Sequence, residues 1–154
     1  MSEPFTYDCM TSGSIRAYHF SMQCTQYCEH EFMQPIHLLA GVLEVMKPIR
    51  CADSKRFTRN HLANIISLVL PPGASFEGVP ASYSGELCRS ETYNEILQLA
   101  KNEAVAHGST KVFPHHLGSA TLNRHDADTI AFLKSIPVNH EMLLEEILSL
   151  RNGG

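Results

Sequence analysis

The sequence contains no apolar run approaching the roughly 20 residues that a membrane-spanning helix needs. Its first ten residues, Met1 to Met10, carry Glu3 and Asp8 in place of a hydrophobic segment. Neither a membrane protein nor a secretory leader is expected. A basic field is missing as well: the formal charge is −4, the isoelectric point is near 6.1, and the 12 Lys and Arg are scattered from Arg16 to Arg151. Proteins that grip nucleic acid concentrate such charge on one surface, so no nucleic-acid partner is expected. No segment alternates with the period of two that marks a half-buried strand. Low-complexity tracts are also absent, and 44% apolar against 18% charged residues in a chain of 154 excludes intrinsic disorder. Even cysteine pairing lacks a partner: Cys9, Cys24, Cys28, Cys51 and Cys88 make an odd count, which without a leader reads as reduced thiols in a cytoplasmic protein.

Helical periodicity is what the sequence does have. From Thr11 to about Cys28, Ile15, Ala17, Phe20, Ser21, Cys24 and Cys28 recur at spacings of three and four, an amphipathic helix whose buried face is small and so implies close helix contact. Pro35 opens a second helix with a stripe of Leu38, Leu39, Val42 and Leu43. Gly41 inside it costs about 1 kcal/mol of propensity, which a close neighbour would explain. Lys47 to Phe57, broken by Pro48, reads as a turn or weak helix. Thr58 or Asn60 caps the next helix, with Leu62, Ile65, Ile66, Val69 and Leu70 inward, and Pro71 and Pro72 end it. Residues 71–89 have the Pro, Gly and small-residue composition of a linker. Beyond it, Ser90 caps a helix with Ile96, Leu97, Ala100, Ala104 and Val105 on its stripe, and Gly108 ends it. Pro114 begins another, through Leu117, Ala120 and Leu122. Asn123 with Asp126 resembles a capping arrangement before Ile130, Phe132 and Leu133, and Asn139 caps a last helix through Ile147 to Leu150.

The two halves repeat. Pro35-Ile36-His37-Leu38 aligns with Pro114-His115-His116-Leu117 at a displacement of 79 residues, which also sets Phe20 on Leu99, Ser21 on Ala100, Thr25 on Ala104 and Leu43 on Leu122. Each half alone is near the size below which a core cannot sustain folding, so mutual burial about a pseudo-twofold axis is the expected solution.

These residues resemble the Clp N-terminal (Clp repeat) domain at the front of the ClpA, ClpB, ClpC and ClpV chaperone ATPases. The second half carries the likeness best, in Leu99-Ala100-Lys101-Asn102-Glu103-Ala104 through Gly108 to Val112, then Pro114-His115-His116-Leu117. Ile136-Pro137-Val138-Asn139 to Ile147 is similar to the family's final turn and helix. The resemblance, over about Thr11 to Leu150, implies an all-α fold of about eight helices. These form two tandem, pseudo-twofold-related four-helix Clp repeats, at about 11–70 and 90–150, packed as one domain. It further implies a non-catalytic domain that recognises unfolded or tagged substrate proteins, or adaptor proteins, for a Clp-type AAA+ ATPase in cis or in trans. The alternative is a stand-alone accessory or regulatory subunit docking on a Clp protease complex. No cofactor is implied, and the isolated domain is expected to be monomeric.

Gly108-Ser109-Thr110-Lys111 holds the letters of a phosphate-binding loop in the wrong order, so no ATPase motif is present. Cys24, Cys28, His30 and His37 suggest a metal site, and with it a small metal or thiol enzyme as a remote alternative. Both cysteines fall on the apolar stripe, where thiols behave as small hydrophobes, so no metal is expected. A thiol–imidazole pair of Cys88 with His115 or His116 has nothing to fix its proximity. His37 and His116 occupy the repeat's histidine position, where a ring near a helix start packs and bonds to backbone. Chaperones of the family carry a Thr near the domain start, an acidic residue after the Gly of the fifth helix, and a Glu before each repeat His. Here those positions are Thr11, Ser109, and His115 with Ile36, which become the candidate peptide-binding residues. ClpC relatives use the Glu pair to hold phosphoarginine marks. With Ile36 and His115 in its place, apolar or unmarked segments are the expected ligands.

Overall fold

The computed structural model of the chain describes residues 9–30, 32–46, 59–70, 88–124, 126–136 and 145. In chain order its elements are α1 (Ser12–Tyr27), β1 (Phe32–Met33), α2 (Pro35–Met46), α3 (Arg59–Val69), β2 (Cys88–Arg89), α4 (Glu91–Ala106), α5 (Pro114–Arg124) and α6 (Ala127–Ser135). No helix among the described residues is long and apolar enough to cross a membrane.

Both long helices start on a hydroxyl that takes one of the orphan N–H donors of the first turn. Thr11 accepts from Ser14 N–H at 3.2 Å to begin α1, and Ser90 accepts from Tyr93 N–H at 3.1 Å to begin α4. These caps stand 79 residues apart, and the same displacement relates the helix ends. Glu29 (φ 57°) and Gly108 (φ 78°) take the left-handed turn that closes α1 and α4. The following amides, of His30 and Ser109, reach back to the carbonyls of Thr25 and Ala104 at 3.1 and 2.8 Å. Gly108 adopts that turn without strain, whereas Glu29 bears a Cβ there.

The short extended segments obey the same displacement reciprocally. β1 and β2 pair in parallel, Phe32 with Cys88 and Met33 with Arg89, while Met10 and Val112 form a parallel bridge of their own. Met10, just before the α1 cap, thus pairs with the run-in to α5, and Arg89, just before the α4 cap, with the run-in to α2. Thr11 N–H donates to Val112 O and Ser90 N–H to Met33 O, each at 3.1 Å. Sequence periodicity expects no strand. Two-residue strands are too short to show one, and this pairing comes from the exchange between halves.

α2 lies at the centre. Every residue from Pro35 to Leu43 is buried, and the helix packs against α1, α3, α4, α5 and α6. Leu39 and Leu43 face an apolar cluster with Phe20, Leu62, Ile66 and Phe132. Leu38 and Val42, each one residue earlier and so about 100° round the helix, face a second cluster with Ala17, Tyr93, Ile96 and Leu117. Gly41 has the expected neighbour, because a Cβ there would fall onto the carbonyl oxygen of Ala17. Two side-chain hydroxyls meet across the halves inside the core. Ser21 Oγ donates its proton to Tyr18 O at 2.6 Å, so Tyr93 Oη, 2.7 Å from that Oγ, is the donor between the two hydroxyls.

Six helices lie among the described residues. The turn or helix expected at 47–57, the linker expected at 71–89 and the last helix at 139–150 fall outside them, apart from Cys88 and Arg89, which form β2, and helical Glu145. Three assignments change. Asn60 lies inside α3 and is not its cap. Val105 is 63% exposed, because the buried stripe of α4 runs through Tyr93, Ile96, Leu97, Ala100 and Ala104 and leaves Val105 outside it. Asn123 is a helical residue of α5, and Asp126 itself stands at the N-cap of α6 without a side-chain cap bond.

Candidate functional site

Three of the four candidate residues lie along one stretch of chain contacts. Thr11 is committed to its cap and tied through its own amide to Val112, whose carbonyl also takes Ser14 Oγ–H at 2.6 Å. Three residues before Val112, Ser109 closes a tight turn on Lys111, donating to its carbonyl at 2.6 Å and accepting from its amide at 3.2 Å. Two residues after Phe113, His115 stacks on the Phe113 ring at 5.7 Å and lies 4.2 Å from the His116 ring. Pro114 sits against α1, 3.2 Å from where a Cβ on Gly13 would be, so the starts of α1 and α5 abut. The result is a face with the Ser109 turn, the exposed Lys111 and His107, and the edge of a half-buried aromatic cluster. His115 is 7% exposed, so its ring supports this face more than it projects from it.

Ile36 lies elsewhere. It is 1% exposed and packs in the first apolar cluster beside Phe20 and Leu39, so it offers a ligand no surface.

The repeat histidines are backbone anchors. Gln34 N–H donates to His37 Nδ1 at 2.8 Å, and Phe113 N–H donates to His116 Nδ1 at 2.9 Å. In the first half the chain continues. His37 carries its proton on Nε2 and donates it to His30 Nδ1 at 2.8 Å, leaving His30 Nε2–H to donate to Leu70 O at 2.9 Å. Burial, with the neighbouring His30 ring as a lesser cause, pushes the His37 pKa down to about 3. Both nitrogens of each ring are therefore occupied and the His37 ring is neutral, a tie between α2 and the end of α3 rather than a metal ligand set. Cys24 and Cys28 lie in the same apolar cluster. Burial pushes the Cys28 thiol up, against the smaller opposing effect of Ser67 Oγ at 3.6 Å, so it remains a protonated thiol. Among the described residues no group of three or more His, Cys, Asp or Glu is placed to hold a metal ion. The side chain of Cys88 lies outside the described residues.

A polar cavity of about 210 Å³ opens where α5 gives way to α6, against the start of α2, lined among others by Gln34, Arg124, Asp126, Asp128 and Thr129. Sequence reasoning picked none of these except Asp126, as a cap. Gln34 is some ninety residues from the others, and no spacing rule joins them.

No family model and no curated protein matches the sequence. Solved structures do match. The crystal structure of the N-terminal domain of the caseinolytic protease associated chaperone ClpD from Arabidopsis thaliana is similar at a TM-score of 0.77 and 17% identity, over 97% of this chain and 98% of that one. The Hsp104 N-terminal domain from Candida albicans is similar at 0.66 and 16% identity, over 94% and 93%. At these identities the likeness is one of fold.

Proposed function

We propose that this chain, which has the fold of a Clp N-terminal domain, is a non-catalytic recognition domain that presents substrate proteins or adaptors to a Clp-type AAA+ unfoldase, in cis or in trans. The observation that carries this reading is the match to the ClpD N-terminal domain along nearly the full length of both chains. Two tandem four-helix repeats packed as one domain account for the 79-residue equivalence of caps, helix ends and strand pairs. The binding face is assigned to Thr11, Ser109 and His115, with the repeat position of Ile36 serving the core. In the absence of the acidic pair that the resemblance leads one to expect, this face takes apolar or unmarked segments. Small, partly polar faces of this kind bind transiently, on the order of micromolar to millimolar affinity.

The test is fluorescence anisotropy of a labelled, permanently unfolded polypeptide titrated with the protein. Binding is expected to weaken severalfold in Ser109→Ala and in Thr11→Gly, a change that keeps most of the helix cap. Unaltered binding in both variants, with unaltered melting, would move the interaction off this face.

A further inference from the structure

We propose that the cavity at the α5–α6 junction is a second polypeptide subsite, one that takes a main-chain carbonyl of an extended segment with a basic side chain beside it. This rests on the polypeptide-recognition reading above and adds to it the chemistry of a particular ligand.

Gln34 is 4% exposed and Thr129 is 2% exposed, and their side-chain atoms Nε2 and Oγ1 are buried without a hydrogen-bond partner. Such groups are few in native proteins, and each costs about 1–3 kcal/mol unless something satisfies it. Among the described residues these are the two side-chain atoms so placed, and both residues line the one cavity. Thr25 and Thr121, well inside their helices, give their hydroxyl protons to the carbonyl four residues back, at 2.7 and 2.8 Å, whereas Thr129, in the first turn of α6, has no helical carbonyl four residues back to take its proton.

The unmet groups favour an acceptor. Gln34 Nε2 has only protons to give, Thr129 can give one, and the first turn of α6 adds N–H donors without a side-chain cap. The charge balance decides which acceptor. Arg124 is the cation of the cavity, and it is already paired with Glu95 at 2.7 Å and Asp126 at 3.3 Å, with Asp128 a further carboxylate in the lining. A phosphate or free carboxylate would meet net negative charge here. A neutral carbonyl oxygen would not, and a lysine or arginine next to it would complement the acidic rim. The volume agrees, since about 210 Å³ lies below the roughly 300–1,000 Å³ of small-molecule pockets and suits a single residue of a chain passing over the surface.

The experiment follows the side-chain amide of Gln34 in ¹H–¹⁵N spectra of the whole protein. Three probes are added in turn: a blocked Ala-Lys-Ala tripeptide, its Ala-Glu-Ala counterpart, and inorganic phosphate. The lysine peptide should shift the Gln34 amide saturably, at least fivefold more tightly than the glutamate peptide, and phosphate should leave it in place. Thr129→Val, nearly equal in shape, should weaken the lysine peptide severalfold, and Gln34→Leu should do the same where it folds. The subsite is wrong if the lysine peptide leaves the Gln34 amide unmoved, if phosphate or the glutamate peptide moves it equally, or if Thr129→Val binds as well as the parent. Unfolded polypeptide binding at Ser109 while Gln34 stays unmoved would reject this subsite alone. Loss of both would reject the recognition reading with it.

Discussion

Acid should unfold this protein through His37. Its ring is fully buried, accepts the Gln34 amide on Nδ1 and donates to His30 from Nε2. A second proton has to enter at Nδ1, where it displaces an accepted bond and leaves a charge in apolar surroundings. The folded pKa is lowered from the ordinary 6.5 to about 3. A depressed pKa means the unfolded chain binds the proton more readily, so this contribution to stability is complete above pH 6.5 and is lost as pH falls toward 3. The slope is about 1.4 kcal/mol per pH unit. From pH 6.5 to 4.5 that amounts to about 3 kcal/mol, a large part of a typical total of 5–15 kcal/mol. Urea unfolding followed by circular dichroism at pH 7.5 and 4.5 measures it. Because other groups titrate in this window, the comparison is with His37→Gln, whose amide can accept from Gln34 and donate to His30 without titrating. The parent should lose about 3 kcal/mol more than the variant. Equal losses would refute the neutral, buried state of His37.

Gly41→Ala drives a methyl into the Ala17 carbonyl, so α1 and α2 must separate; a loss of about 1–3 kcal/mol or more is expected by denaturant titration. Thr11→Ala and Ser90→Ala remove equivalent caps and should each cost about 1 kcal/mol, nearly additively, in the same assay. Glu29→Gly relieves a side chain held at φ 57° and should raise the melting temperature by a few degrees, whereas Gly108→Ala, its counterpart 79 residues on, should lower it.

Four helix starts were legible because each has a local chemical cause: a hydroxyl at Thr11 and Ser90, a proline at Pro35 and Pro114. The 79-residue correspondence was legible because Pro35-Ile36-His37-Leu38 and Pro114-His115-His116-Leu117 keep one displacement. Gly41 announced a close crossing, since glycine inside a helix needs a reason. What stayed hidden depends on residues distant in sequence. The paired strands are two residues long and exist because one half completes the other. Val105 looks apolar at a helical spacing, yet which side of α4 faces the core is settled by where α5 packs. Ile36 matched a surface position of the family pattern, but its environment is set by Phe20 and Leu39. The cavity joins Gln34 to Arg124 and residues 126–129 only after α2 meets α6.

The most direct test of polypeptide recognition is a ¹H–¹⁵N titration of the backbone amides with a permanently unfolded protein. Shifts concentrated at Thr11, at Ser109 and Lys111, and at His115, saturating in the micromolar to millimolar range, are the predicted result. No shift with any unfolded chain would contradict direct capture and leave docking on a folded Clp component as the reading to pursue.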